Sequence, residues 1–181
     1  MAKIYDINDF DLNTLILKPK NEHLIYFYPS PILLKTQNLY CKILKKKTKY
    51  SMYEIIISNF NSKTDFFSLL DKMIVEMAKS NKIKLPFDQN EKIKYKSLIG
   101  PDGNISFKII NSKDFNTIIF DKKNIIIHGS YLQNEIYAYL VFELVGIWCN
   151  DNIFGIYLRL HQVKEKHENS EIDYILSDSS S

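Results

Sequence analysis

"IYAYLVFELVGIWCNDNIFGIYLRLHQVKEK", residues 136–166, decides how this chain is read. Two long apolar runs rich in β-branched and aromatic residues flank a polar turn, "NDN" at 150–152, the pattern of two antiparallel strands joined by a tight hairpin. Side chains alternate between the faces of a strand. In the second run Phe154, Ile156, Leu158 and Leu160 therefore take a core face, and Tyr157, Arg159 and His161 the other. Gly155 lies beside them, where a missing side chain lets another backbone approach. In the first run Ile136, Ala138, Leu140, Phe142, Leu144 and Trp148 share the core parity, against Tyr137, Tyr139, Val141, Glu143 and Val145. Trp148, the only tryptophan, thus reads as core or rim packing, with base stacking as the alternative if the nearby turn re-aims its ring.

The same alternation extends outward on both sides. "LIYFY" from Leu24, "SPILLK" from Ser30, "LYCKILK" from Leu39 and "YSMYEIIIS" from Tyr50 read as strands, with Pro29 and Pro31 marking an edge or a bulge. One stretch changes period: in "SKTDFFSLLDKMIVEMAKS", Ser62 to Ser80, Phe66, Leu69, Leu70, Met73, Ile74 and Met77 recur at helical steps, with Asp71, Lys72, Glu76 and Lys79 facing out. Ser62 or Thr64 is placed to cap it, with Asp65 near the positive end of the helix dipole. Beyond Pro86, "PDGN" at 101–104 and "DKKN" at 121–124 separate "ISFKII", "TIIF" and "IIIH", which reads as successive antiparallel hairpins. The fold class is mainly β, an OB-fold-like β-barrel with one amphipathic helix inserted between strands. An N-terminal arm or short edge element is expected over 1–20, the barrel domain over 21–166, and a flexible acidic tail over 167–181.

At 181 residues and 45% hydrophobic, the chain suffices for one domain with a real core. Twenty-four basic against 21 acidic side chains leave a net charge of +3, so total charge does not announce a polyanion partner. Distribution says more. Between Glu22 and Glu54 there is no acid, while Lys35, Lys42, Lys45, Lys46, Lys47 and Lys49 alternate with Tyr26, Phe27, Tyr28, Tyr40, Tyr50 and Tyr53. Cations along phosphates and flat rings for unstacked bases are what a single nucleic-acid strand requires; a solvated lysine loop is the other reading. Lys92, Lys94, Lys96 and Lys108, with Tyr95 and Phe107, form a weaker second set. The nucleic-acid-binding residues expected from these patterns are Tyr26, Tyr28, Lys42, Lys45, Lys46, Lys47, Lys49, Tyr50, Tyr53, Lys94, Lys108, Tyr157, Arg159 and His161. Arg159 is the only arginine. Its planar head can stack on a base and pair with a phosphate at once, or it can form an ion pair with Glu143 across the hairpin.

Signatures of other chemistry are missing. There is no nucleophile motif, no glycine-rich phosphate loop and no zinc spacing among His23, His128, His161 and His167, so no enzyme, metal or cofactor is expected. Cys41 and Cys149 are too few and too far apart for a disulfide scaffold, which points to a reducing, intracellular compartment. No window approaches the ~18 apolar residues needed to span a bilayer, and the acid-bearing "MAKIYDINDFDLN" is unlike a leader, so no membrane association is expected.

The strand ending "GIW", the short polar turn, "FGIYLRLHQV" and the charged tail resemble the C-terminal part of small single-stranded-DNA-binding proteins with an OB fold and acidic tail, the phage replication type and their relatives in large DNA viruses of eukaryotes. Trp148, Gly155 and Gln162 are the distinctive positions. The resemblance implies binding of single-stranded DNA without sequence preference during replication, recombination or repair, at the site of viral DNA replication if the chain is viral. It also implies contacts of the acidic tail with replication proteins. This tail ends in serines without a terminal aromatic, and "DYIL", Asp173 to Leu176, is its one apolar anchor. The other functional classes considered are a β-barrel protein-interaction module, including a homodimer, and an RNA-binding OB domain.

Overall fold

The computed structural model describes residues 3–21, 23–28, 31–45, 51–57, 65–80, 82–86 and 92–168. The expected helix caps Ser62 and Thr64 and the tail beyond Glu168 lie outside these residues. Among the described residues are twelve strands and one α-helix: β1 (Ile4–Asp6), β2 (Ile16–Asn21), β3 (Leu24–Tyr28), β4 (Ile32–Lys35), β5 (Leu39–Lys45), β6 (Ser51–Ile57), α1 (Asp65–Lys79), β7 (Lys94–Lys96), β8 (Ile105–Ile110), β9 (Ile118–Phe120), β10 (Ile126–Ile127), β11 (Glu135–Asn150) and β12 (Ile153–Lys166). The mainly β class with one helix between strands is the one expected from the sequence.

β11 and β12 form the long hairpin, and Asp151 and Asn152, with φ of 45° and 60°, supply the left-handed pair that a tight two-residue turn requires. The other edge of β11 is shared in succession by β5 at 135–138, β4 at 141–144 and β3 at 146–148. From β5 the sheet continues through β6 to β8, and from β12 through β9 to β10. The expected hairpins form at β5–β6, β9–β10 and β11–β12, but β8 pairs with β6 and not with β9, β12 takes β7 and β9 as parallel neighbours, β4 takes β1, and the stretch read as an arm adds a hairpin, β2–β3. The N-terminal stretch is bound into the sheet through β1 and β2, and Ile7 and Leu15 bury their side chains in the common core.

The sheet curls without closing into a ladder among the described residues. Thr117 spans the gap: its hydroxyl donates to Leu160 O of β12 (2.9 Å) and accepts from Ile110 N of β8 (3.0 Å). Inside the curl, Phe67 of α1, Phe107 of β8 and Phe142 of β11 meet with ring centroids 5.2–6.2 Å apart, so the helix and two distant strands share one aromatic centre. Cys41 and Cys149 are both buried and free, and burial pushes their thiols up to about 12 and about 11, far from the reactive thiolate range.

Two parity readings are corrected. On α1 the buried stripe is Phe66, Phe67, Leu70, Asp71 and Ile74, while Leu69 is 51% exposed. Asp71 turns inward because three donors meet it there: Tyr95 and Ser97 donate hydroxyl protons to its carboxylate and Leu98 donates its backbone N–H. Burial, and then the bond to Asp71, pushes the Tyr95 phenol far above its ordinary value. On β11 a bulge at Val145 flips the alternation, so Ile147 and Cys149 enter the core and Trp148 faces the other way, half-buried against Gly155.

Gly146 sits where the β3 backbone crosses β11; a Cβ there would lie 2.0 Å from Ile25 O. Gly146→Ala should therefore destabilise the fold by about 3 kcal/mol, read as a shifted urea midpoint at unchanged slope. Asp71→Ala leaves its donors unpaired and should cost about 2–4 kcal/mol in the same measurement, with Leu69→Ala nearly neutral as the control.

Candidate nucleic-acid interface

The candidate interface is the outer face of the β11–β12 hairpin and its neighbours. Because Ile136, Ala138, Leu140, Phe142 and Leu144 point into the core, Tyr137, Tyr139, Val141 and Glu143 point out. Their cross-strand partners are Lys166, Lys164, Gln162 and Arg159. Past the bulge the outward residues are Trp148 on β11 and Tyr157 on β12. From Tyr137 to Trp148 this stripe runs roughly 35 Å at the rise of an extended strand.

Its neighbours add rings and cations. Tyr40 of β5 pairs with Tyr137, ring centroids 5.5 Å apart, and Lys42 stands opposite Glu135. Lys35 of β4 places its ammonium 4.6 Å from the centre of the Tyr139 ring, and Lys166, itself buried, approaches the same ring at 5.5 Å. Tyr26 of β3 pairs with Gly146, and Tyr28, 46% exposed, carries the Lys18 ammonium 3.7 Å from its ring centre. Each such contact holds a cation beside a flat ring at a gain of roughly 0.5–1 kcal/mol in exposed positions.

At mid-stripe a carboxylate holds Arg159 and His161 together. Glu143, buried, accepts a hydrogen bond from His161 Nε2 at 2.9 Å and lies 3.6 Å from Arg159 Nη1. A bulge leaves His161 as the extra residue of β12 between Leu160 and Gln162, with its ring on the same outward face as Arg159. Phe115, from the loop between β8 and β9, packs on both: 5.0 Å from the His161 ring and 5.2 Å from the Arg159 guanidinium, which is also 5.7 Å from the Tyr157 ring. Arg159 therefore makes the ion pair with Glu143 and still lies against two aromatic rings, with about a third of its side chain exposed.

Acids also touch the stripe at one end. Tyr137 donates its hydroxyl to Glu168 (3.0 Å), and the Tyr40 hydroxyl is held above its ordinary value first by its hydrogen bond to Glu135. The bond to Glu168 raises Tyr137 likewise. Glu168, the last described residue, thus lies on the aromatic face.

Of the residues singled out from the sequence, Tyr26, Tyr28, Lys42, Tyr157, Arg159 and His161 come together on this face. Lys108 shares it at a distance, across β6 from Leu44, with Glu54 between them. Lys94 is exposed on β7, paired with Ile153 at the Trp148 end. Lys45 and Tyr53 pair with each other at the end of β5 and β6; Tyr53 turns inward, half-buried against the core. Lys46, Lys47, Lys49 and Tyr50 lie outside the described residues. Sequence reasoning misses Lys18, hidden in a stretch that reads as an arm, and Phe115, an isolated aromatic in a turn. No signal in the sequence pairs either with its partner. Among the described residues no three His, Cys, Asp or Glu side chains are grouped as a metal would require, and no helix is long and apolar enough to cross a membrane.

No family model matches the sequence, and no curated protein matches it. Among solved structures the chain is similar to the single-stranded DNA-binding protein from bacteriophage Enc34 in complex with ssDNA: 12% identity over 88% of this chain and 99% of that one, at a TM-score of 0.48. Two further structures are similar to the same degree. The C-terminal truncation of that protein gives 12% identity, 88% and 99% coverage and a TM-score of 0.43; another structure of it gives 13%, 91% and 96%, and 0.45.

Glu143 holds the Arg159 cation and accepts from His161 in a half-closed site, so removing its charge takes away the counter-ion of Arg159. Glu143→Gln should lower stability by about 1–3 kcal/mol, more at low than at high salt, as measured by thermal unfolding across a salt series.

Proposed function

We propose that this chain binds single-stranded DNA without sequence preference along the outer face of β11 and β12, coating and protecting unwound strands during replication, recombination or repair. The observation that carries this reading is the continuous stripe in which Tyr40, Tyr137, Tyr139, Tyr157, Tyr26 and Trp148 are flanked by Lys42, Lys35, Lys166, Arg159 and Lys18. Rings on a sheet face offer stacking to any base, at on the order of 1–3 kcal/mol per base, and the flanking cations release counterions from the phosphates. Neither contribution reads base edges, which is why the binding is indifferent to sequence. A duplex keeps its bases stacked on each other and presents only phosphates, so the stripe favours the single strand.

The mechanism uses no bond chemistry. A strand laid along the stripe exchanges base–base stacking for base–tyrosine stacking. Lys35, already seated beside Tyr139, meets a phosphate without first being ordered, while the buried Lys166 steadies the same ring from the other strand. Arg159 is held by Glu143 and lies against Phe115 and Tyr157, with about a third of its side chain left exposed to meet a phosphate or a base. In this reading the acidic tail, which carries Glu168, Glu171, Asp173 and Asp178, contacts replication proteins.

Labelled oligo-dT titrated against a matched duplex over a salt series tests the proposal. The expected result is preference for the single strand and an affinity that falls steeply with salt; equal or stronger binding of duplex, or of neither, overturns it. Tyr139→Ala should weaken oligo-dT binding on the order of tenfold with the fold retained, whereas Phe142→Ala should cost about 3–5 kcal/mol of stability.

A further inference from the structure

Beyond the stripe, a cleft of about 210 Å³ opens between β8, β9 and β10. Its floor is apolar, formed by Ile109 and Ile119, and one wall is the ring of Tyr53. Its rim is polar, with Asn111, Asn116 and His128. Gly129 leaves room beside Tyr53: a Cβ there would meet the ring at 3.0 Å. We propose that this cleft is a base-binding subsite, taking one unstacked nucleobase against the Tyr53 ring, with its polar edge at the rim.

Size supports one ring system and nothing larger. An apolar cavity of about 150 Å³ already holds a benzene ring, whereas sites for larger ligands begin near ~300 Å³. The chemistry of the walls supports a base. Tyr53 offers a flat face, with the His128 ring edge-on to it at 6.4 Å. His128 Nδ1 accepts from Ser130 N (3.2 Å), so the neutral ring carries its proton on Nε2 as a donor. Asn116 Oδ1 already accepts from Ser112 N (3.1 Å), so Asn116 offers its amide donors, and the amide of Asn111 supplies a donor and an acceptor for a base edge. The Thr117 hydroxyl is already committed to Leu160 and Ile110 and takes no part. Lys45, exposed and directly across the ladder from Tyr53, is placed for the phosphate.

Continuity with the stripe is built into one loop. Phe115 packs on Arg159 and His161, while Asn116 and Thr117, the next residues in sequence, line the cleft. Ser112 pins that loop by accepting from Phe115 N (3.1 Å) and donating to Phe115 O (2.9 Å), and Asn111 and Asn116 bridge its base. A strand leaving the stripe at its middle, beside Arg159, crosses this loop to reach the cleft. The subsite thus rests on the strand-binding proposal, and it adds one position where base identity matters to an otherwise indifferent face.

The test is a titration of isotope-labelled full-length chain with dAMP, dCMP, dGMP and dTMP, one at a time, with 2-deoxyribose 5-phosphate as the control lacking a base. The amide signals of Thr117, Ile119 and Gly129 should shift saturably with at least one nucleotide and stay unmoved with the sugar phosphate. Gly129→Ala, which displaces the Tyr53 ring, should weaken the nucleotide severalfold, and so should His128→Ala, an exposed substitution that spares the core. No saturable shift with any nucleotide, or an equal shift with the sugar phosphate, overturns the subsite. Oligo-dT binding by the same samples keeps the two proposals apart: loss of oligonucleotide binding with the cleft shifts intact sinks the stripe alone, and oligonucleotide binding with silent cleft signals sinks the subsite alone.

Discussion

The sixteen-residue strand β11 is hydrogen-bonded along one edge to β12 and along the other to β5, β4 and β3 in turn, so four strands from both halves of the chain are registered against one backbone. Three neighbours can share one edge only if each ends where the next begins, and the strand must bend to follow them. The bulge at Val145 and the absence of a side chain at Gly146 supply that bend just where β3 takes over from β4. The curl that results brings Phe142 of β11 onto Phe107 of β8 and leaves an outer surface lined by tyrosines.

That bend also explains which parts of the molecule are legible in the sequence. The hairpin, the strand-rich class, the single helix and the outward position of Tyr157 and Arg159 follow from periodicity, because these segments keep a regular alternation from turn to bulge. Trp148 escapes the same reasoning because one extra residue at Val145 reverses parity beyond it, and no local composition marks that residue. The helix face departs from its periodicity at Leu69 and Asp71 for a different reason. A carboxylate surrounded by distant donors can be buried, and Tyr95, Ser97 and Leu98 are more than twenty residues away in sequence. Parallel pairing of β12 with β7 and β9 joins segments separated by tens of residues, where turn signals are silent.

The site shows the same division. Its cations and rings are visible as a composition bias between Glu22 and Glu54, but the register that seats Lys35 and Lys166 on one tyrosine from opposite strands is a property of the sheet. Glu143 is the instructive case. Composition allows Arg159 either to pair with it or to lie on aromatic rings, and the structure shows both at once: the guanidinium reaches the Glu143 carboxylate while lying against Phe115 and Tyr157.

Trp148 has one more consequence. The only indole in the chain, it lies half-buried on the outer face, packed over Gly155 and away from the Phe67–Phe107–Phe142 centre. Its emission is therefore an intrinsic optical gauge of the surface, separate from the interior. Events on the outer face will change its colour and intensity before the core loosens, so the molecule carries its own reporter without any label.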